Sequence, residues 1–390
     1  MTFDLVLTGA RVLDPSQNID RVTDVGFAQG KIVAVGDGLA RQAVSVRDCS
    51  GSIVTPGLID LHTHVYAGGS SLSVDPLPLT ATGGLTTLID AGSAGPGNFA
   101  GFRAHVIAPS PVRILAYLNI SFAGIYAFSK RVMVGESGDQ RLLAPIDAVE
   151  VARANRDVLV GIKVRVGHIA SGTSGTIPLD IARQVADELR LPMMVHVDHP
   201  PPTLEEVLAR MRPGDILTHC FRPFPNSPVS NGRILPAVLE ARERGVLFDI
   251  GHGMGSFSYD VARVMLAGGF MPDTISSDVH ALCIEGPAFD LITTMSKFLC
   301  LGVPLGAAVK AVTVNAAAAL QRPDLGSLKP GSAGDASILR VETGAFDYVD
   351  STGAVLRGEE KIVAKGVVIA GRLWEPEHHC EKWPSDFREK

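Results

Sequence analysis

The sequence predicts an α/β protein: a distorted (β/α)8 barrel of parallel strands alternating with helices, carrying a small β domain built from both termini. Three observations lead there. Eight short apolar runs recur between residues 53 and 277, most of them separated by amphipathic stretches. Near-continuous apolar strands that alternate with helices belong to a parallel sheet covered on both faces. Each end of the chain is strand-rich but too small for a core of its own, so the two ends are expected to pack together. A doubly wound open sheet shows the same alternation, and strand count alone does not separate it from a barrel.

Residues 1 to about 50 read as short strands at 4–8, 10–13, 24–28 and 31–35, the last two flanking Gln29-Gly30 as a tight hairpin turn. From Ile53 the texture changes. Strand candidates follow at 53–61, 86–90, 112–119, 158–166, 193–197, 216–219, 246–250 and 274–277. Residues 179–189 and 204–211 are amphipathic, and Thr203 followed by Glu205 and Glu206 makes a helix cap and first turn. The segment 123–140 is long for a barrel loop and is a candidate cover for the site. Residues 289–301 and 305–320 read as two helices, after which strands return at 335–341 and at 361–370 around Gly366. The expected organisation is a discontinuous, β-sandwich-like domain of residues 1–54 with 321–390, and a barrel of residues 55–320.

Composition narrows the function classes. Apolar residues are 46% and charged residues 19%, enough for a sizeable core. A net charge of −6 without a long basic run argues against nucleic acid as a partner. No run of about 18 apolar residues predicts a membrane span. Met1-Thr2-Phe3-Asp4 lacks the basic-then-apolar pattern of a signal peptide. The cysteines Cys49, Cys220, Cys283, Cys300 and Cys380 are scattered, with neither a disulfide framework nor a CxxC pair, which fits a reducing cytoplasm.

The chemistry starts at His62 and His64. Two residues apart in an extended strand, they share a face and could share a metal ion. Five of the eight strand candidates end in a potential ligand: His62 with His64, then Lys163, His196, His219 and, just past the eighth, Asp278. In a barrel all these ends meet on one face. A lone histidine at a strand end is more often a hydrogen-bonded core or loop residue; the joint pattern is what points to a site. His105, His378 and His379 read as surface or tail residues, and His168 and His199, just past strands, as supports behind the ligands or as loop residues. Lys163 interrupts an apolar run at an inward position, and a buried lysine is costly unless paired or neutralised. Either it meets a carboxylate, or it has reacted with carbon dioxide to give a carbamate whose two oxygens bridge two divalent ions. On the second reading four imidazoles, a carbamate and an aspartate hold a pair of zinc-like ions. Two close metals share a hydroxide and polarise a carbonyl oxygen. Asp278 beside them could take the proton of the attacking hydroxide and return it to the leaving group.

Pro56-Gly57-Leu58-Ile59-Asp60-Leu61-His62-Thr63-His64 resembles the signature of the amidohydrolase superfamily. The order His-x-His, Lys, His, His, Asp is similar to its dihydroorotase and dihydropyrimidinase branch. Thr313-Val314-Asn315-Ala316-Ala317 resembles the final barrel-helix motif, and Gly331-Ser332-Ala333-Gly334-Asp335-Ala336 the turn that re-enters the small β domain. The resemblance spans nearly the whole chain. It implies a distorted barrel, a composite β domain, a binuclear zinc site and a carboxylated Lys163 (N6-carboxylysine) that needs carbon dioxide or bicarbonate. It further implies His62 and His64 on the more buried metal, Lys163 bridging, His196 and His219 on the second metal, and Asp278 as ligand and proton shuttle.

The chain departs from the better-known branch members after His219. Cys220-Phe221-Arg222-Pro223-Phe224 stands where those enzymes often have a Phe-Asn segment. Gly161-Ile162-Lys163-Val164-Arg165, with His219-Cys220-Phe221, resembles the deacetylase subgroup, some of whose members hydrolyse acetyl esters of 2-hydroxy acids such as mandelate. The expected activity is therefore hydrolysis of an ester or amide in a small carboxylate-bearing substrate, such as an acetylated 2-hydroxy acid or an N-acetyl amino acid. Cyclic amide hydrolysis is the alternative. A non-catalytic scaffold is the third reading, but such relatives typically lose ligands and this chain keeps all six. By period 2, Arg165 shares the face of Lys163 nearer the mouth, where a guanidinium suits a substrate carboxylate or a rim ion pair. His252 is placed to contact substrate or to cap the next helix, and Ser256 and Tyr66 are further substrate-binding candidates. Oligomeric state stays open; exposed faces of such barrels often pair, so a homo-oligomer is compatible.

Overall fold

The computed structural model describes residues 2–376. His378, His379, Cys380 and the rest of 377–390 lie outside the described residues. The strands begin with β1 (Phe3–Asp14), β2 (Ile19–Ala28), β3 (Lys31–Gly36), β4 (Ala43–Asp48) and β5 (Ile53–Pro56). Next come β6 (Leu58–Thr63), β7 (Leu85–Ala91), β8 (Arg113–Asn119), β9 (Leu159–Val166), β10 (Met193–Val197) and β11 (Ile216–Leu217). A short hairpin of β12 (Val229–Ser230) and β13 (Arg233–Ile234) precedes β14 (Leu247–Phe248). The chain returns to strand in β15 (Ala336–Val349), β16 (Val355–Ile369) and β17 (Arg372–Trp374). The α-helices are α1 (Phe99–Phe102), α2 (Pro145–Ala154), α3 (Ile177–Leu189), α4 (Leu204–Leu208), α5 (Pro236–Glu243), α6 (Tyr259–Ala267), α7 (Leu291–Cys300), α8 (Leu305–Ala311) and α9 (Val314–Ala319). None of the helices among the described residues is long and apolar enough to cross a membrane.

Seven strands form a parallel sheet in the order β6-β7-β8-β9-β10-β11-β14. The eighth position is extended without being a regular strand, and it closes the ring. Thr274 bridges Asp249 on one side and Val279 bridges Thr63 on the other. Across the closing seam Asp278 N donates to His62 O at 2.7 Å and His64 N to Val279 O at 3.0 Å. Where the ladder is irregular, the Asp60 carboxylate accepts from Ser277 N at 3.0 Å and Ser277 Oγ at 2.5 Å. The barrel is thus the expected architecture, and its distortion sits at the joint between first and eighth positions. Inside, Ile59, Leu61, Ile89, Leu115, Tyr117, Met194 and Ile216 make an apolar floor against α9. The register slips between Asp60 and Thr63. Leu61 and His62 therefore both serve the interior, one in the floor and one in the pocket above it.

Strands from the two ends of the described chain share a second sheet, ordered β17-β16-β15-β5-β1-β2-β3 with β4 on β1. The apolar run at 53–61, expected as one strand, is divided at Gly57. β5 pairs with β1 and β15, whereas β6 pairs with β7. A Cβ on Gly57 would collide with Thr86 and stand 2.9 Å from Asp335 Cβ, so the crossing between sheets needs glycine. The Gln29-Gly30 turn is as expected, with φ of 51° and 71°. The expected strands at 4–8 and 10–13 are one strand, β1, with an irregular register between Leu7 and Ala10.

The expected helix at 305–320 is two. Val312 O accepts from Ile59 N at 2.9 Å, which diverts that carbonyl from the helix ladder to the barrel. The expected helix at 204–211 is confined to α4, whose capping box joins Thr203 and Glu206. β15 and β16 run far beyond their expected lengths. Their outer halves are mostly exposed and polar, so apolar alternation did not reveal them.

Candidate active site

The C-terminal ends of the strands supply the site. β6 leads into His62 and His64, and β9 carries Lys163 and Arg165. The parallel register puts Arg165 beside His196 and Asn119 beside Lys163. His219 and Asp278 follow the sixth and eighth positions with φ of 65° and 48°. Left-handed backbone is costly for such residues and tends to collect where function requires it. The rings form a row: His64 to His62 at 5.4 Å between centroids, His62 to His219 at 5.2 Å, and His219 to His196 at 4.5 Å. Asp278 Oδ1 lies 3.2 Å from His62 Nε2 and 3.3 Å from His64 Nε2.

Hydrogen bonds behind the rings fix where the protons sit. Thr218 Oγ1 donates its one proton to Asp249 Oδ2 at 2.8 Å. His62 Nδ1, 2.8 Å from the same hydroxyl, must therefore be the donor there. His219 Nδ1 donates to Gly251 O at 2.7 Å. In both rings the Nε2 lone pair is left for the pocket. His64 Nδ1 lies 2.8 Å from Ser93 Oγ. Asp249 is itself held by Thr274 Oγ1 and Ser276 Oγ, each at 2.7 Å.

Burial is the leading cause of every pKa shift in the pocket. It lowers His64 to about 3 and takes His62, His196 and His219 well below the ordinary histidine range. Imidazoles in this state are neutral, the form that binds metals. Burial also lifts Asp278 to about 6 and draws Lys163 down to about 7. His62 Nε2 and Asp278 Oδ1 are thus two acceptors facing each other, an arrangement that a cation between them resolves. The ligand atoms of His62, His64 and Asp278 all lie within 4.8 Å of one another. Lys163 Nζ and His196 Nε2 are buried without a hydrogen-bond partner among the described residues, and orphaned polar atoms of this kind are rare. Neutral imidazoles with a carboxylate are the donor set of a zinc-like ion, so these residues fit a divalent metal.

Residues 53–373 match the amidohydrolase family model. The chain belongs to the amidohydrolase family. This amidohydrolase is 38% identical over 368 residues to a deacetylase of Agrobacterium fabrum, a match covering 91% of this chain and 90% of that protein. A solved dihydroorotase structure superposes with a TM-score of 0.88 at 35% identity, covering 95% of this chain and 98% of that one. A solved adenine deaminase structure gives 0.88 at 29% identity, covering 96% and 100%. The family is metal-dependent, and the present chain is a hydrolase of that family.

In this amidohydrolase the six expected ligands and Arg165 all line one pocket, roofed by Leu72, Ile125 and Phe128. The pocket is partly open, with a cavity volume of about 40 Å³. The segment 123–140 reaches the site as a cover: Phe128 lies under the Arg165 guanidinium, 5.0 Å from ring centroid to Cζ, and Glu136 Oε2 is 3.5 Å from Arg165 Nη1. The other residues expected to meet substrate lie outside the pocket lining. Tyr66 is packed on Phe102 at 4.6 Å, and its hydroxyl donates to Asn98 O at 3.2 Å. His252 is buried behind the site against Phe257, bonded to Lys297. Ser256 is half-buried in the loop beyond it. His105, His168 and His199 are exposed.

Three participants were not anticipated. His280 lines the pocket 6.1 Å from His64; its position two residues after Asp278 on an extended segment was the available signal. Asp249 interrupts an apolar run at a strand end, the same cue that singles out Lys163. Thr218 had no distinguishing signal. Thr218→Val keeps the shape but removes the hydroxyl that accepts from His62. It is expected to lower divalent-metal affinity or kcat/KM by about 10–100-fold, the usual cost of losing such a support. Chelator competition and steady-state kinetics measure it.

Proposed function

We propose that this amidohydrolase removes an acetyl group from a small carboxylate-bearing compound, an acetylated 2-hydroxy acid or an N-acetyl amino acid. The observation that carries the reading is Arg165. It lies in the pocket wall beside the candidate ligands, with Nε buried and unpartnered among the described residues. The ion pair anticipated as its alternative is present but long, at 3.5 Å to Glu136, and leaves guanidinium donors for a substrate anion.

His62 and His64 would hold one divalent ion, most simply zinc, and His196 and His219 a second, with Lys163 between them and Asp278 alongside. When bound, such a pair polarises a carbonyl oxygen and makes water nucleophilic near neutral pH. For Lys163 to bridge, its neutral amine adds to carbon dioxide: Lys-NH2 + CO2 gives Lys-NH-COO⁻ + H⁺. Burial favours the neutral amine, and among the described residues Nζ has no hydrogen-bond partner to compete for it. Asp278 accepts a proton from the attacking water and delivers it to the leaving oxygen or nitrogen. Phe128 and Ile125 cover the reacting atoms and limit bulk water. A cytoplasmic setting is supported by Cys49, Cys220, Cys283 and Cys300, all free thiols.

A cyclic amide is the second reading, supported by the similarity to a dihydroorotase structure. A panel of acetyl esters of 2-hydroxy acids, N-acetyl amino acids, dihydroorotate, hydantoin and adenine separates the two. Faster turnover of dihydroorotate than of every acetyl compound would sink the first reading. Within the panel, Arg165→Met is expected to raise KM for an anionic acetyl ester roughly 10–100-fold, the worth of a hydrogen bond to a charged group. The corresponding neutral methyl ester should change little. Equal effects on both esters would remove Arg165 from carboxylate binding.

A further inference from the structure

We propose that Lys297 is a positioning residue for the active site, acting through His252 on the Gly251-His252-Gly253 turn. Lys297 lies on α7, outside the pocket lining, and is fully buried. Its Nζ is 2.7 Å from His252 Nε2, 2.7 Å from Pro287 O and 2.8 Å from Val349 O. His252 Nδ1 is 2.9 Å from Gly253 O. A carbonyl oxygen only accepts, so Nδ1 carries the ring proton and Nε2 accepts from Lys297. Three acceptors then face Nζ, which matches the three N–H groups of an ammonium. The ring is also stacked on Phe257 at 4.7 Å. His252 is therefore held on its face and at both nitrogens.

What it holds is the segment that touches two candidate ligands. Gly251 O accepts the His219 Nδ1 proton at 2.7 Å, which aims the other ring nitrogen into the pocket. Gly253 packs so closely on Asp278 that a Cβ would collide with Oδ2. Both glycines are left-handed, with φ of 47° and 51°. The backbone of the turn is bonded to the eighth position, Gly251 N to Ser276 Oγ at 2.9 Å, His252 N to Ser276 O at 3.2 Å and Gly253 N to Ser277 O at 2.9 Å. Between two glycines, His252 is the one side chain that anchors it from the opposite side, and the two neighbouring ligands depend on where it sits. Val349 belongs to β15, so the same ammonium also ties the terminal sheet to the wall of the site.

The inference rests on His219 and Asp278 belonging to a metal centre, and the test separates the two ideas. Metal-stripped wild-type protein, His252→Phe, His252→Gln and Lys297→Met are titrated with zinc against a chromogenic chelator. Visible spectra of the cobalt forms and kcat and KM are recorded alongside. His252→Phe keeps the stack but loses both nitrogens; it is expected to weaken zinc binding about 10–100-fold, alter the cobalt spectrum and lower kcat with little change in KM. His252→Gln offers Lys297 an oxygen acceptor and should recover part of the loss. Lys297→Met should resemble His252→Phe; if it does not fold, the His252 pair decides alone. Wild-type zinc affinity and kcat in folded His252→Phe, or equal impairment of the Gln and Phe variants, would overturn the role of Lys297. Wild-type protein that takes up no zinc would overturn the metal centre itself, and this proposal with it.

Discussion

Lys163→Ala is expected to lower kcat/KM by at least about 10³-fold, beyond the 10–100-fold typical of groups that merely support a ligand. Lys163 is fully buried, and its amine has neither a hydrogen-bond partner nor a carboxylate in ion-pair contact among the described residues. A structural lysine in such a place would be a liability. Its stem is accommodated by Gly92, where a Cβ would come within 2.6 Å of both Lys163 Cβ and Cγ. The space beneath the lysine has been cleared for it, while its tip is aimed at the row of histidines. Alanine removes the amine and any carbamate formed on it. Stability of the metal-free protein should hold or rise, because a desolvated amine disappears. Small carboxylic acids at high concentration should restore part of the activity by supplying the missing oxygens. Labelled bicarbonate should give a carbamate carbon signal in the wild type and none in the variant. Full activity in Lys163→Ala would refute the bridging role.

The sequence revealed the site better than the scaffold around it. His62, His64, Lys163, His196, His219 and Asp278 could be read because each is a polar residue closing or interrupting an apolar run, and a barrel gathers such positions at one end. Arg165 followed from period 2. Elements whose stability comes from long-range contacts were harder to see. The break between β5 and β6 is imposed by pairing with β15, nearly three hundred residues later, and the break between α8 and α9 by a strand amide. The closing eighth position holds together through Asp60 and Ser277 side chains rather than a ladder. Local periodicity carries none of that information. His252, open in the sequence between a substrate contact and a helix cap, closes an apolar run as His219 does; local pattern does not show that it stands outside the pocket lining, bonded to Lys297 of α7.

Asp278→Asn is expected to reduce kcat by about 10²–10⁴-fold, the range for losing a general acid–base group. The substitution preserves size, and asparagine tolerates the left-handed backbone that Asp278 adopts at φ 48°. The amide N–H to His62 O and the thiol of Cys283 on the Asp278 carbonyl are backbone contacts and remain. The variant should therefore fold, and KM should move little if the substrate contact is the proposed one at Arg165. The proposed function gives this carboxylate two roles, ligand and proton carrier, and the leaving group tells them apart. Expulsion of an amine or an alkoxide requires a returned proton, whereas a phenolate bearing electron-withdrawing groups leaves without one. If Asp278 carries the proton, Asp278→Asn should lose far more activity on an N-acetyl amino acid or alkyl acetate than on a nitrophenyl acetate. If it serves only to hold a metal, the losses should be equal across the series, because attack on every carbonyl would suffer alike. A flat series would leave the pocket with His280 as the next group within reach to carry the proton.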